Sequence, residues 1–234
     1  MLVDFQQVAK NTTTTGRYEV IRSTIQSVFN YMGFGLIITA LVSYFASTSQ
    51  SLMAAVFGSP LMYLVMLAPF GFVIYMNAKF RTSTKSQLQT AFFAFCALMG
   101  LSLSYIFLAY TGVAIFRAFA VSSCMFLSMS LYGYATKKDL TSMGSFMRMG
   151  LFGLIIAMVI NIFLKSPAMD YVISMVGIAV FMGLTAWDVQ KVKRSAVYMS
   201  MDKEEGGKLG IMHALSLYLD FINLFLFILR FQSR

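Results

Sequence analysis

The sequence is short of charge. Only 12% of its residues are Asp, Glu, Lys or Arg, about half the share in an ordinary soluble domain. With 59% hydrophobic residues and a mean hydropathy of +0.75, too little polar surface exists to coat a soluble globule of this size. Such a globule would expose large apolar patches and aggregate. Cysteine is nearly absent. Cys96 and Cys124 form no CxxC and both lie in apolar segments, so they read as small buried hydrophobes rather than a disulfide framework or metal cluster. His213 is the only histidine, too few for a metal site or a catalytic triad. No Walker loop, HExxH, GxSxG or dinucleotide fingerprint occurs. The GxGD signature of intramembrane aspartyl proteases is also missing, because Ala186-Trp187 precedes Asp188 and Tyr218-Leu219 precedes Asp220. The expectation is a protein that is not an enzyme and carries no resident cofactor.

What is present is length of apolar run. A spanning helix needs about 20 mostly apolar residues. Seven such segments occur, at 27–46, 60–78, 88–110, 112–135, 146–164, 168–189 and 211–231. They are unbroken runs rather than ten-residue alternations, which predicts helices and not barrel strands. The fold class is therefore all-α, a polytopic membrane protein whose single domain, 27–231, follows a polar segment, 1–26. That segment has no apolar core or small-residue cleavage site and does not read as a signal peptide. Across its end, apolar Val20, Ile21, Ile25 and Val28 stand among Arg17, Glu19, Arg22 and Gln26 over Tyr18–Val28. This predicts either a short interfacial helix or an extension of the first span.

The net charge of +9 fits basic cytoplasmic loops better than nucleic-acid binding. With the N-terminus inside, 14 of the 18 Lys and Arg residues fall in inside segments, and only Arg117, Lys165, Arg230 and Arg234 fall outside. The predicted N-terminus is cytoplasmic. Seven spans put the C-terminus outside, unless the last segment is re-entrant.

Of nine acids, Asp4, Glu19, Asp139, Asp170, Asp202, Glu204 and Glu205 are read as lying in termini or loops; Asp188 and Asp220 lie within spans. A charge at membrane depth costs roughly 2.5–3.5 kcal/mol on insertion scales, so it marks a functional site by default. If the sixth span leaves the membrane near Arg194 and the seventh enters near His213, both acids lie ~10 Å below the inner surface. On consecutive antiparallel helices they can then face each other. Two carboxylates in a low-dielectric site do not both ionise readily, and they titrate as a pair. Sharing a proton would join the helices; losing it would free the oxygens for a hard cation such as Ca²⁺. The alternative is a structural helix–helix contact, or pairing with a cation such as Arg81 or Lys79. Asn223, three residues after Asp220, is either a supporting partner or another interhelical contact. Trp187 reads as an interface or packing residue, and Asn77 and Asn161 as packing contacts. Glycine spacings at Gly33/Gly35 and at Gly144, Gly150 and Gly153 suggest close helix contacts.

Three stretches carry a family resemblance: GLTAWDVQKVKR at 183–194, ALSLYLDFINLFLFILR at 214–230, and SLYGYATKKDLTSMGSF at 130–146. They resemble the Bax inhibitor-1 family, also called the transmembrane Bax inhibitor motif family, and the third resembles bacterial members of the YbhL/YccA type. The sixth-span motif of the family is usually closer to TAYDTQKIK; Trp187 and Val189 replace its tyrosine and threonine. The resemblance implies six helices around a central seventh and a pH-sensing aspartate pair at Asp188 and Asp220. It also implies a basic second-span residue near that pair, for which Arg81 and Lys79 are candidates. The implied activity is a Ca²⁺ leak in a bacterial inner membrane, with lipid, Ca²⁺ and protons as partners. A non-conducting interaction protein, modulating stress survival or membrane-protein quality control, is the other expectation.

Overall fold

The computed structural model describes residues 14–232. Among the described residues the chain is helical throughout, with no strand. In chain order the helices are α1 (Thr14–Thr48), α2 (Gln50–Phe57), α3 (Leu61–Lys79), α4 (Lys85–Leu103), α5 (Ile106–Ala109), α6 (Gly112–Ala135), α7 (Thr141–Leu164), α8 (Pro167–Met201) and α9 (Lys203–Gln232). Seven stretches are long and apolar enough to cross a membrane, α4 and α5 together forming the third.

Local chemistry sets several boundaries. Thr84 and Gln87 make a reciprocal capping box at the start of α4, which satisfies two otherwise orphaned backbone donors. Thr111 caps α6 through Ala114 N, and Ser166 caps α8 through Met169 N with Pro167 in the first turn. Helix α7 stops where Lys165 turns left-handed, at φ 50°.

Of the two readings of Tyr18–Val28, the extension of the first span holds: the stretch is continuous with α1, and Ile21 and Val28 are buried. Residues 1–13 of the polar N-terminal segment, with Asp4 and Lys10, lie outside the described residues, as does Arg234. The sixth and seventh segments run far beyond 189 and before 211, so that only Asp202 separates α8 from α9. Helix α2 fills much of what reads as the first loop.

Helices α8 and α9 form the buried hairpin of the molecule. Within their apolar stretches 61% and 72% of residues are buried, against 11% for α3 and α7. Helix α9 packs chiefly against α8, α6, α1 and α4, while α3 lies on α4 and α7 on α8.

Lipid is as apolar as leucine, so close packing and interhelical hydrogen bonds must hold such a bundle together. Both occur here. A Cβ on Gly133 of α6 would stand 2.2 Å from the Ala186 carbonyl oxygen of α8, and one on Gly144 of α7 would stand 2.3 Å from the Trp187 ring. A Cβ on Gly35 would also be close, 2.8 Å from Cys96 Sγ, and one on Gly150 would meet Val180 at 3.3 Å, but Gly33 and Gly153 face open space, so two of the five glycines in the spacing pattern mark no contact. The hydroxyl of Tyr218, fully buried, meets Thr39 Oγ1 at 2.6 Å, and Thr39 also reaches the Cys96 carbonyl at 2.9 Å. That bond ties α9 to α1 and α4. Cys96 is buried as expected; Cys124 is exposed.

Candidate functional site

The register of α8 against α9 is fixed by cross-contacts on either side of the two aspartates. Phe181 stacks on Phe227 with ring centroids 5.8 Å apart, and Ser195 Oγ lies 2.9 Å from His213 Nε2. Asp188 is seven residues from both Phe181 and Ser195; Asp220 is seven from both Phe227 and His213. Seven residues are two helical turns, which returns a side chain to the same face. The antiparallel hairpin therefore carries both carboxylates to one level on the facing sides of α8 and α9. Each is 6% exposed.

Their surroundings differ. Lys191 Nζ donates to Asp188 Oδ1 at 2.9 Å and also lies 4.2 Å from the centre of the Trp187 ring. The Arg148 guanidinium covers the same ring at 4.6 Å, and its charge also acts on Asp188. Among the described residues Asp220 has no such cation: its Oδ2 is buried without a hydrogen bond, and the charges acting on it are those of Asp188 and Lys191. A buried carboxylate oxygen left without a donor carries the full cost of its lost hydration.

The cation beside Asp188 is thus Lys191, one turn on along the same helix. Lys79 and Arg81, expected from the resemblance, are exposed near the α3–α4 connection. Asn223 does not support Asp220; its Nδ2 donates to the Leu219 carbonyl of its own helix at 2.8 Å. Trp187 is a packing residue, filling the space that Gly144 leaves.

The rest of the motif braces the α6–α7 connection. Gln190 Nε2 donates to the Lys138 carbonyl at 2.8 Å, and Gln190 Oε1 accepts from Leu140 N at 2.9 Å. Lys193 Nζ reaches the Tyr134 carbonyl at 2.6 Å, and Arg194 pairs with Asp139 at 2.8 Å. Asp139 lies outside the spanning helices. Hydrogen bonds from Thr141, first from its side chain, together with Arg194, hold its carboxyl down at about 2.

A second polar cluster lies at the other end of the hairpin. Asp170, expected in a loop, is buried in the first turns of α8. It accepts hydrogen bonds from Arg230 of α9 and from Asn161 Nδ2 of α7, the latter at 2.7 Å. Tyr171 stacks on Phe231 beside it, with centroids 4.8 Å apart. Ser166-Pro167 just ahead of Asp170 was the available sequence signal, since a cap followed by proline marks a helix start. Among the described residues no group of three or more His, Cys, Asp and Glu forms a metal-binding cluster.

The family model described as "Inhibitor of apoptosis-promoting Bax1" matches residues 21–233. Protein RP147 of Rickettsia prowazekii (strain Madrid E) is 42% identical over 231 residues, covering 98% of both chains. The inner membrane protein YbhL of Escherichia coli (strain K12) is 37% identical over 212 residues, 90% of this chain and 91% of its own. A Borreliella burgdorferi protein is 38% identical over 211 residues, with the same coverage. Matched along nearly its whole length and built of seven apolar helices, the chain belongs to the Bax inhibitor-1 family and is a multi-pass integral membrane protein.

Proposed function

We propose that the protein is a pH-sensitive calcium leak channel of the Bax inhibitor-1 type, with Asp188 and Asp220 as proton sensor and gate. The observation that carries this reading is two carboxylates buried at one level of the α8–α9 hairpin, one held by Lys191 and the other with an unpartnered oxygen. Groups this costly at such depth are kept where they act. A shared proton joins α8 to α9. Removing it leaves two facing anions, which repel or take up a hard divalent cation through their oxygens. The protein is then not an enzyme and needs no resident cofactor; Ca²⁺ and protons are what it handles. The inner membrane is the proposed location, in line with the name of the YbhL relative. The basic bias of the loops supports a cytoplasmic N-terminus.

The test is Ca²⁺ entry into liposomes carrying purified protein, scanned over pH, beside the Asp188→Asn/Asp220→Asn double variant. Flux above empty vesicles, with a pH profile that the double variant flattens, supports the gate. No flux from folded protein at any pH removes the channel. One observation favours a non-conducting interaction protein instead: two clefts among the described residues, one between α3 and α4 and one against α1, α2 and α4, are not lined by either aspartate. Under that reading the same variants change stability and leave flux unaltered.

A further inference from the structure

The cleft between α3 and α4 has a polarity gradient. It encloses about 700 Å³. Along α3 its wall is Phe72, Tyr75 and Lys79; along the turn and α4 it runs through Ser83, Gln87 and Thr90 to Ala91 and Ala94. These positions recur three and four residues apart, so each helix gives one face to the cleft. The end next to the turn is cationic and hydroxyl-rich. One to two turns deeper the wall becomes aromatic and alanine-lined, and the small alanines leave room.

Lys79 is exposed, and its ammonium has no ion pair or hydrogen bond among the described residues. Arg81, two residues on, is exposed but does not line the cleft. Lys85 is not available, since its stem lies over Gly207 of α9. The start of α4 is also occupied, by its own capping box and by Glu204, which accepts from Lys85 N at 2.5 Å. An anion in the cleft is therefore held by Lys79 and hydroxyls rather than by the helix end.

We propose that this cleft is a binding site for one anionic phospholipid, its phosphate on Lys79 among the hydroxyls and an acyl chain along Phe72, Leu88, Ala91 and Ala94. Basic pockets between spanning helices recognise acidic head groups in this way. A free phosphate would leave the apolar half of the cleft unused. A soluble peptide does not reach a wall whose neighbours on α3, such as Phe70 and Ile74, are 70% exposed and apolar.

The experiment is native mass spectrometry of the full chain released from equimolar phosphatidylglycerol and phosphatidylcholine, with thermal stability measured in each lipid. The expected result is preferential retention of phosphatidylglycerol and greater stability in it. Lys79→Gln is expected to lower the preference about fivefold, the contribution of one basic residue near a charged lipid surface, while stability in phosphatidylcholine stays unchanged. Ala94→Phe fills the apolar end with every charge intact and is expected to reduce retention too. Arg117→Gln, an exposed cation at the start of α6, is the control and should have no effect. Equal retention of the two lipids by the wild type overturns the proposal, as does an unchanged preference in both Lys79→Gln and Ala94→Phe. Stabilisation by soluble glycerol phosphate equal to that by phosphatidylglycerol also overturns it, since a free-anion site would behave that way.

Discussion

Replacing Lys191 by Gln removes the cation that touches Asp188. Removing one partner of a fully buried ion pair costs about 3–5 kcal/mol. The Lys191 side chain is 38% exposed while that of Asp188 is 9% exposed, so water screens part of this, and an expected loss of about 1–3 kcal/mol is the appropriate scale. A second component is independent of Asp188. The ammonium over Trp187, 4.2 Å from the ring centre, is worth about 0.5–1 kcal/mol at a partly exposed site. A double-mutant cycle separates the two. Lys191→Gln in the wild-type background should cost the full amount; in an Asp188→Asn background it should cost only the cation–π share, about 0.5–1 kcal/mol. Reversible denaturation in mixed micelles, with helix content as the probe, supplies the four free energies. Equal losses in both backgrounds would mean that Lys191 does not stabilise Asp188, and the geometry of the site would have been misread.

Three further outcomes are expected. Tyr218→Phe deletes the hydroxyl that meets Thr39 and should lower stability by about 0.5–1.5 kcal/mol; Thr39→Val in the same background should add less than it does alone, which the same denaturation series measures. Gly133→Ala would place a Cβ 2.2 Å from the Ala186 carbonyl, so α6 and α8 must part at a cost of about 1–3 kcal/mol, whereas Gly153→Ala, facing open space, should be nearly neutral. Asp139 is held at about 2 in the folded chain, below its ordinary value near 3.9. Its contribution is therefore complete above about pH 4 and fades as pH falls towards 2; Arg194→Gln should raise the carboxyl's titration midpoint, followed by carbon-13 NMR of labelled aspartate.

The bundle and its pair were legible because each rests on a strong signal. Seven apolar runs leave a chain no other way to satisfy its backbone in lipid, and Asp188 and Asp220 are the acids with apolar sequence reaching up to them from within a run. The partner of Asp188 was not legible, although Asp188 and Lys191 stand at i, i+3. The apolar run ends at Val189, so Lys191 read as a loop cation, whereas α8 continues to Met201. Apolarity marks where lipid ends, not where the helix ends. Asp170 was missed for the converse reason. A polar cluster at the mouth of a span reads as loop until the fold brings Asn161 and Arg230 onto it. Glycine spacing showed that helices approach closely but not which side of each helix does so, which is why Gly35 is crowded and Gly33 is not.

The charge balance at the pair sets what the proposed gate can respond to. With both carboxylates ionised and Lys191 charged, Asp188, Asp220 and Lys191 together carry one net negative charge, and the Arg148 guanidinium acts on Asp188 from its place over Trp187. Lys191 sits on Asp188, so the uncompensated charge falls on Asp220, whose Oδ2 has no donor. One proton neutralises these three groups; one divalent cation overshoots to a net positive charge. Proton and Ca²⁺ are then not equivalent occupants. Under the proposed gate, Ca²⁺ would compete with Lys191, whose side chain is 38% exposed, for the oxygens of Asp188. Lys191 would then set the balance between closing on a proton and admitting a cation. Lys191→Met should raise Ca²⁺ occupancy of the pair at neutral pH relative to wild type, read by tryptophan fluorescence from Trp187, the only tryptophan in the chain. Unchanged or weaker occupancy in that variant would show that Lys191 is not a competitor for the site.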